Sequence, residues 1–259
     1  MTTDRGSAIV TGAGRGIGRA IAHRLAADGF TVTTADISAE LARTVAKEIG
    51  DQGYQASPAE CDVRRRDAVG ELVADTRDRH GDLAVMVANA GIVRVGPLLD
   101  VNADDLDAVL GVNVAGVLWS IQAAAAAMIE QGGGGRIIAA GSVGAHSGSE
   151  YLASYCASKF GVRALVQVAA RELARHRITV NAYCPGIVGT DMWTEIDRSL
   201  GRHLGTGEGE ALERYSQMIA LGRVQTPEDV AGLVSYLAGP DGGYMTGQSV
   251  VVDGGIVMV

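Results

Sequence analysis

Two side chains that can exchange a proton, Tyr155 and Lys159, stand four residues apart in the segment SYCASK. This spacing places both on one face of a helix. An ammonium group beside a phenol favours the phenolate, so the pair predicts a lowered pKa for Tyr155 and a role in proton transfer; an ordinary surface pair is the alternative. Ser142 follows a predicted strand, at the edge where open α/β sheets bind ligands. The three side chains together favour chemistry on an alcohol or a ketone.

A glycine-rich loop follows the first predicted strand. Residues Thr11–Gly18 read TGAGRGIG. The glycines, which include Gly12, Gly16 and Gly18, let backbone N–H groups and a helix N-terminus face a pyrophosphate. The spacing Gly-x-x-x-Gly-x-Gly differs from the Gly-x-Gly-x-x-Gly fingerprint, and a flexible turn is the alternative. The loop predicts a dinucleotide site near the start of the chain.

A carboxylate, Asp36, ends the second predicted strand, close to the offset of about twenty residues expected of a ribose-binding acid. A carboxylate there accepts hydrogen bonds from the ribose of NAD(H) and repels the 2′-phosphate of NADP(H). Ile37 follows, so no cation stands next to Asp36. Arg15 leaves NADP(H) open, and Asp36 also suits a helix cap. NAD(H) is the predicted cofactor.

The overall charge is acidic and the composition is ordinary for a globular protein. A net charge of −8, a pI of about 5.1 and scattered arginines argue against nucleic acid, which requires clustered cations. The opening residues are polar, and no uninterrupted apolar run approaches the roughly 20 residues of a membrane span, so neither a secretory signal nor a membrane is expected. Three cysteines without metal-ligand spacing predict no metal site and favour a reducing cytoplasm.

Short β-branched runs alternate with longer helical patterns, which predicts βαβ units. We expect one α/β domain over residues 1–259, a Rossmann-like doubly wound parallel sheet of about seven strands. A substrate lid is expected at about 186–218, because that stretch is long and poorly periodic. The predicted strands are Ser7–Thr11, Thr31–Ala35, Tyr54–Ala59, Leu83–Val87, Arg136–Ala140, Ile178–Tyr183 and Ser249–Val252. The predicted helices cover about 16–28, 38–49, 65–79, 103–131, 151–176 and 227–238.

The sequence resembles the short-chain dehydrogenase/reductase family along nearly the whole chain. Thr11–Gly18 matches the family's TGxxxGxG loop, Asn89–Gly91 its NAG motif and Asp253–Gly255 its terminal turn. The resemblance implies a catalytic tetrad of Asn113, Ser142, Tyr155 and Lys159. It also implies a cofactor site formed by Gly12, Arg15, Gly16, Ile17, Gly18, Asp36, Asp62, Val63, Asn89, Gly91, Tyr155, Lys159, Pro185, Gly186, Val188 and Thr190.

The resemblance further implies a role for each member of the tetrad. Tyr155 exchanges a proton with the substrate oxygen while hydride moves to or from the nicotinamide. Lys159 holds the nicotinamide ribose and lowers the Tyr155 pKa, Ser142 orients the carbonyl, and Asn113 supports a water relay to solvent. Ala88 departs from the family's Asn-Asn-Ala-Gly pattern. We expect this departure to remove a hydrogen bond near the fourth strand without loss of activity.

Within the family, the second half of the chain is similar to members that interconvert diacetyl, acetoin and 2,3-butanediol. The similarity covers 155–167, 181–193, 219–223 and 227–255. The predicted substrate contacts are Ser142, His146, Tyr155 and Trp193. His146 suits a second substrate oxygen and Trp193 suits the roof of a small apolar pocket. The alternatives are an exposed loop histidine and a tryptophan that only packs the lid onto the body.

Other functions stay open, because one fold hosts many. A polyol dehydrogenase is one alternative. A 3-oxoacyl-thioester reductase is another, although such enzymes usually prefer NADPH and a basic docking surface, which Asp36 and the acidic charge oppose. A protein of a different class, a non-catalytic dinucleotide-binding sensor, is expected to have lost part of the tetrad, which this chain retains.

Two long segments, 103–131 and 151–176, carry more apolar residues than one sheet face needs. Excess apolar helix surface is typical of contacts between subunits, although both segments also suit a core. The family resemblance favours a homotetramer built on these helices.

Overall fold

Seven parallel strands form one sheet in the computed structural model, which describes residues 5–258. The strands are β1 (Ser7–Thr11), β2 (Thr31–Asp36), β3 (Ala56–Glu60), β4 (Leu83–Ala88), β5 (Gly135–Ala140), β6 (Ile178–Pro185) and β7 (Ser249–Val252). Their order across the sheet is β3-β2-β1-β4-β5-β6-β7. The chain therefore starts near the centre, winds to one edge and returns to wind to the other. The predicted doubly wound sheet is confirmed.

Nine α-helices connect the strands within residues 5–258. They are α1 (Gly16–Ala27), α2 (Ala39–Asp51), α3 (Arg66–His80), α4 (Ala103–Leu110), α5 (Gly116–Gln131), α6 (Ala153–Leu173), α7 (Asp191–Leu204), α8 (Glu210–Ser216) and α9 (Pro227–Ala238). A π-helical turn, Gly111–Ala115, joins α4 to α5, so the helix predicted over 103–131 runs without a break.

Neighbouring residues of β1 point to opposite faces of the sheet, as the two-residue period of a strand requires. Ala8 and Val10 belong to a core shared with α1 and α9. Ile9 belongs to a second core, shared with α3, α5 and α6. Both faces are covered, and the central strand β4 is accordingly apolar throughout, as expected for a parallel sheet.

The stretch predicted to be a substrate lid, referred to below as the lid, is more regular than the sequence predicts. Residues 186–218 contain two helices, α7 and α8. α7 buries Ile196 and Leu200 in one cluster, and the Asp197 carboxylate accepts hydrogen bonds from the Gly209 and Leu212 N–H groups at 2.6 and 2.8 Å. The expectation of an irregular segment was wrong: α7 has 14 residues, and the glycines at 205–209 separate it from α8, which has 7.

The continuous helix Ala103–Gln131 is long and apolar enough, by length and composition, to cross a membrane. Half of its most apolar stretch, 50%, is buried inside the fold. There α5 contributes Val117, Ile121 and Met128 to the core beneath β4 and β5. The core helix of a globular fold has the same composition, so this helix needs no membrane to account for its apolar face.

Candidate active site

The residues predicted to do chemistry lie along one edge of the sheet, at the carboxyl ends of the parallel strands. β2 ends at Asp36, β5 ends just before Ser142, and β6 ends at Pro185. β1 lies between β2 and β4, so the two windings diverge at its end and open a crevice. The structure thus brings the predicted cofactor and catalytic residues to one cleft.

The Ser142 and Tyr155 side chains lie close enough for Ser142 to act on the pKa of Tyr155. Tyr155 lies in the first turn of α6, and Ser142 begins a short 3₁₀ turn after β5. The Ser142 hydroxyl also accepts a hydrogen bond from the Gly144 N–H at 3.0 Å, which fixes its position. A carbonyl oxygen placed between the two hydroxyls would be polarised by one and protonated by the other.

The electrostatics of Tyr155 differ from the sequence prediction. Burial raises the pKa of Tyr155 to about 12, and the Ser142 side chain opposes that rise only in part. The Lys159 ammonium lies 5.4 Å from the centre of the Tyr155 ring and donates to the Ala140 carbonyl at 2.7 Å. Burial lowers the pKa of Lys159 to about 8. The predicted lowering of the Tyr155 pKa is therefore wrong for the chain by itself, because loss of solvation outweighs the distant cation.

Asn113 is fully buried in the π-helical turn that joins α4 to α5. Its amide is held on both sides by Ile92, whose N–H donates to Oδ1 and whose carbonyl accepts from Nδ2, each at 2.9 Å. Nδ2 also donates to the Ser158 hydroxyl at 3.0 Å, and Ser158 donates to the Tyr155 carbonyl at 2.6 Å. Sequence reasoning missed Ser158, whose only signal is a polar residue on a buried helix face. Ser158 links the predicted Asn113 to the catalytic helix.

The phosphate loop depends on close backbone approaches that only glycine permits. Gly12 has a φ of +63°, and a Cβ at Gly18 would collide with the Gly12 carbonyl. A Cβ at Gly14, a position that the prediction omitted, would lie 2.8 Å from Asp36 Oδ2. No side chain caps the start of α1 at Arg15, so its first N–H groups stay open to a phosphate. This cradle fits the pyrophosphate of a dinucleotide.

Asp36 is buried against the phosphate loop. Its Oδ2 accepts a hydrogen bond from the Gly14 N–H at 2.9 Å, and its Oδ1 accepts one from the Ser38 N–H at 3.0 Å. The cap of α2 is Ser38, whose hydroxyl accepts from the Leu41 N–H. The alternative role of Asp36 as a helix cap therefore belongs to Ser38, and Asp36 lies where an adenosine ribose would pass.

The other predicted contacts of the adenosine half lie near the ends of β1 and β3. Arg15 forms an exposed ion pair with Asp191 of the lid, at 3.7 Å. Arg64 binds both oxygens of Asp62, at 2.6 Å for the shortest pair, and these hydrogen bonds hold the pKa of Asp62 below its usual range. Two members remain. Ile17 is partly buried beside the phosphate loop, and Val63 is buried beside α5.

A buried hydrogen-bond chain supports the loop from below. The Tyr183 hydroxyl donates to Asn89 Oδ1 at 2.7 Å, and Asn89 Nδ2 donates to the Thr11 and Gly12 carbonyls at 2.8 and 3.1 Å. The Thr11 hydroxyl accepts from the Asn89 N–H at 3.0 Å. Sequence reasoning named Asn89 and Gly12 but missed Tyr183. Ala88, the departure from the family pattern, is buried in the apolar core, and its effect on activity stays a prediction.

The nicotinamide end of the predicted cofactor site is enclosed by close contacts. A Cβ at Gly91 would lie 3.5 Å from Asn113 Oδ1 and 3.7 Å from Lys159 Nζ, so this glycine borders the catalytic groups. A Cβ at Gly186 would lie 2.8 Å from Asp253 Cβ. Thr190 approaches the phosphate loop: a Cβ at Gly16 would lie 3.3 Å from its methyl group. Of the two other members, Pro185 ends β6, and Val188 forms a β-bridge with Gln225.

An apolar cluster lies above Tyr155. Val93, Ile196, Leu200 and Ala211 form its buried centre. Tyr155 itself and two residues at the start of the lid pack against it, Met192 and Trp193. The Trp193 ring centre lies 6.2 Å from that of Tyr215 in α8. Trp193 and Tyr155 thus pack against the same cluster, and the contact of Trp193 with substrate stays a prediction.

His146 is not part of this cluster. Its Nδ1 lies 3.4 Å from the Arg163 guanidinium of α6, and its ring lies beside the backbone of Ser249. Burial, with a smaller contribution from the Arg163 cation, lowers the pKa of His146, so the imidazole is neutral at neutral pH. Its contact with a second substrate oxygen stays a prediction that these neighbours do not support.

Within residues 5–258, no group of three or more His, Cys, Asp or Glu side chains is arranged to hold a metal ion. The polar side chains around Tyr155 are the Ser142 and Ser158 hydroxyls, the Asn113 amide and the Lys159 ammonium. Proton transfer and hydrogen bonding are the chemistry that these groups can perform.

A doubly wound sheet, a glycine-rich phosphate cradle and a Ser–Tyr pair beside a buried lysine define a nicotinamide-dependent oxidoreductase. A family model described as short chain dehydrogenase matches residues 7–201. The chain belongs to the short-chain dehydrogenase family, and the resemblance seen in its motifs is confirmed.

Named relatives cover nearly the whole chain. A Staphylococcus epidermidis protein named diacetyl reductase, (S)-acetoin forming, is 45% identical over 252 residues, which are 97% of this chain and 98% of that protein. The L-2,3-butanediol dehydrogenase of Corynebacterium glutamicum is 44% identical over 252 residues, 96% of this chain and 98% of its own length. A crystal structure of a short-chain type dehydrogenase/reductase from Mycobacterium marinum superposes with a TM-score of 0.88 at 36% identity, covering 98% of this chain and 96% of that one.

Proposed function

We propose that the protein interconverts diacetyl, acetoin and 2,3-butanediol, with NADH as reductant and NAD⁺ as oxidant. The observation that carries this proposal is the Ser142–Tyr155 pair beneath a small apolar cluster that Met192 and Trp193 cover. Short vicinal ketones are uncharged and largely apolar, so such a pocket suits them. The names of the two relatives support the same substrates, and one of them supports (S)-acetoin as the product of diacetyl reduction.

The nicotinamide, when bound, supplies the hydride for reduction and accepts it for oxidation. Tyr155 gives its hydroxyl proton to the carbonyl oxygen as the carbon is reduced, and takes a proton back from the alcohol in the reverse direction. Ser142 holds that oxygen against Tyr155. Lys159 is placed to hold the ribose, and Asn113 with Ser158 fixes the turn of α6 that carries both Tyr155 and Lys159.

The preference for NAD(H) rests on Asp36. Its carboxylate is held by two backbone N–H groups beside the phosphate loop, where a 2′-phosphate of NADP(H) would meet its negative charge. Arg15, the cation of that loop, is paired with Asp191. Both features support NAD(H) over NADP(H).

The test follows NADH or NADPH consumption with diacetyl, acetoin, a ketose derived from a polyol, and an acetoacetyl thioester. We expect strong turnover of diacetyl and acetoin with NADH, weak turnover with NADPH, and (S)-acetoin on a chiral column. Tyr155→Phe is the control, since loss of the proton donor should lower kcat about 1,000-fold while NADH still binds. Preferential turnover of the ketose or the thioester would overturn the substrate, and preference for NADPH would overturn the cofactor.

We also propose that the protein is a homotetramer. Ile129 of α5 and Phe160 and Val168 of α6 expose 40, 45 and 54% of their surface, and a subunit contact would bury these apolar side chains. Light scattering coupled to gel filtration should give four times the chain mass of 26.7 kDa. A monomer would contradict this assembly.

We further propose a reducing cytoplasm as its compartment. Cys61, Cys156 and Cys184 are all free and buried, and a reducing compartment keeps thiols in that state. Fractionation of the native host should recover the activity with cytoplasmic enzymes; recovery outside the cell membrane would overturn this proposal.

A further inference from the structure

Tyr151 holds a backbone conformation that residues with side chains rarely adopt. Its φ is +65°, in the left-handed region where a Cβ crowds the neighbouring carbonyl. Among residues 5–258, Arg177 is the one other non-glycine residue with a positive φ, and it ends a helical turn, where this conformation is common. Tyr151 instead precedes the catalytic helix α6. Strained residues persist where several contacts hold them, and they cluster at functional sites.

Three contacts hold Tyr151 in place, and one of them is the packing of its side chain against the apolar cluster centred on Val93, Ile196 and Leu200. The Tyr151 carbonyl accepts a hydrogen bond from the Gly96 N–H at 2.9 Å, which ties it to the loop after β4. Its ring stacks on that of His203, with 5.7 Å between the ring centres and 14° between the planes. His203 lies in the last turn of the lid helix α7. The strained residue therefore joins the loop after β4, the entry to the catalytic helix and the lid.

The lid helix is attached differently at its two ends. At its start, Asp191 forms an ion pair with Arg15 in which both side chains are more than 70% exposed, and such pairs contribute little. At its end, the Tyr151–His203 stack fastens it to the body. Directly after Asp191, Met192 and Trp193 pack against the apolar cluster above Tyr155, and Ile196 and Leu200 are buried in the same cluster further along α7. The distance of the Met192 and Trp193 side chains from Tyr155 therefore depends on how firmly α7 is held.

We propose that Tyr151 is a positioning residue that fastens the lid helix through His203 and thereby sets the size of ketone that the pocket encloses. This inference rests on the proposed function, because it takes the space above Tyr155 as the substrate pocket. A short vicinal ketone fits beneath the fastened helix. A longer one requires α7 to lift, which breaks the stack.

Four variants separate the ring contact from the strain and from general destabilisation. Tyr151→Asn removes the ring and tolerates the left-handed backbone, while His203→Ala removes the other ring and leaves the strain. Tyr151→Phe keeps the ring and should rescue. Tyr54→Asn removes another half-buried tyrosine ring, which packs on the core far from the lid, and serves as the matched control.

Steady-state kinetics with diacetyl and with 3,4-hexanedione, and hydrogen exchange of residues 191–204, are measured for each variant. In Tyr151→Asn and His203→Ala we expect the KM for diacetyl to rise about tenfold, with the KM for NADH and the kcat nearly unchanged. The preference for diacetyl over the longer diketone should fall, and amide exchange in α7 should quicken. The double variant should behave like either single one, because both remove the same contact. Tyr151→Phe and Tyr54→Asn should keep the wild-type preference and exchange.

Several outcomes would overturn the proposal. Unchanged exchange and unchanged preference in Tyr151→Asn would show that the ring does not hold the lid. Equal loss in Tyr151→Phe would assign the effect to the hydroxyl, and equal loss in Tyr54→Asn would assign it to general destabilisation. One outcome separates this proposal from the proposed function. If the wild type turns over neither diketone, the proposed substrate is wrong. If amide exchange in α7 is still faster in Tyr151→Asn and His203→Ala, the fastening of the lid stands.

Discussion

On one side of the cleft, the wall beneath the phosphate loop is joined by buried hydrogen bonds that run from Tyr183 through Asn89 to Thr11 and Gly12. On the other side, the lid helix α7 is held by apolar side chains, an exposed ion pair and the Tyr151–His203 stack. Hydrogen bonds demand fixed directions and distances, whereas apolar contacts tolerate changes of shape if volume is kept.

The difference between the two walls matches what each must bind. A dinucleotide is the same molecule in every turnover, so its wall benefits from a rigid backbone. The substrate wall must admit and release a small ketone, so it benefits from contacts that open at low cost. We expect substitutions in the first wall to impair NADH binding, and substitutions in the second to impair substrate binding alone.

Gly18→Ala should have the largest effect of this comparison. The new Cβ would collide with the Gly12 carbonyl and lie 2.5 Å from Asn89 Nδ2, so the loop must shift. We expect the KM for NADH to rise about 100-fold, equivalent to roughly 3 kcal/mol. Gly70→Ala, where nothing lies within 4 Å of the new Cβ, is the matched control and should keep the wild-type KM. Normal NADH binding in Gly18→Ala would break the claim that this wall is rigid.

Tyr183→Phe should have a smaller effect on the same wall. It removes the donor to the Oδ1 of the half-buried Asn89, at a cost of about 1 kcal/mol, and frees the amide to turn away from Gly12. We expect the KM for NADH to rise about tenfold, with little change in the KM for diacetyl. Thr76→Val, which removes a buried hydroxyl that donates to Thr33 at 3.0 Å, should destabilise the fold without that change. Equal changes in both variants would assign the effect to stability alone.

Trp193→Ala should show the opposite selectivity. Loss of the indole opens the apolar cluster beside Tyr155, so we expect the KM for diacetyl to rise about fivefold with the KM for NADH unchanged. Trp193→Phe, which keeps an aromatic ring, should recover most of the loss. A comparable rise in the KM for NADH would mean that the two walls are mechanically coupled.

Lys159 borders both walls and predicts an effect on stability instead of on binding, namely a dependence on pH. Burial lowers its pKa from 10.5 to about 8, so between these values the folded chain binds fewer protons than the unfolded chain. Stability without cofactor should therefore rise as pH increases from about 8 to 10.5, by at most about 1 kcal/mol per pH unit. Urea unfolding should show a smaller slope in Lys159→Met. Because the pKa of Tyr155 is raised to about 12, its opposing loss of stability begins only above about pH 10. Equal slopes in wild type and variant would contradict the prediction.

The strands could be predicted because each is marked by a local sequence pattern. The strands differ from their predicted bounds by two residues or fewer, as β3 (Ala56–Glu60) and β6 (Ile178–Pro185) show. Their runs of buried residues and the glycines that follow them are local features. The helices α7 and α8 of the predicted lid were missed: α8 has only 7 residues, and α7, although it has 14, lies in a stretch interrupted by Gly201, Gly205, Gly207 and Gly209.

The same distinction holds within the candidate site. The position of Ser142, Tyr155 and Lys159 at one sheet edge follows from strand ends and helix periodicity, both of which are readable along the chain. The hydrogen-bond partners that hold the site in place cannot be predicted from local sequence patterns. Ser158 holds Asn113, and Tyr183 holds Asn89, through contacts between residues that lie far apart in sequence.

The sequence by itself determined the doubly wound sheet, the phosphate loop and the chemical class of the catalytic groups, because these depend on residue type and short-range spacing. Only the tertiary structure decided the charge state of Tyr155, the cap of α2 and the fastening of the lid by Tyr151. A pKa depends on everything that surrounds a group in three dimensions, and burial here outweighed the neighbouring cation that the spacing had suggested. A ring contact between the catalytic-helix entry and the lid likewise exists only after the chain has folded.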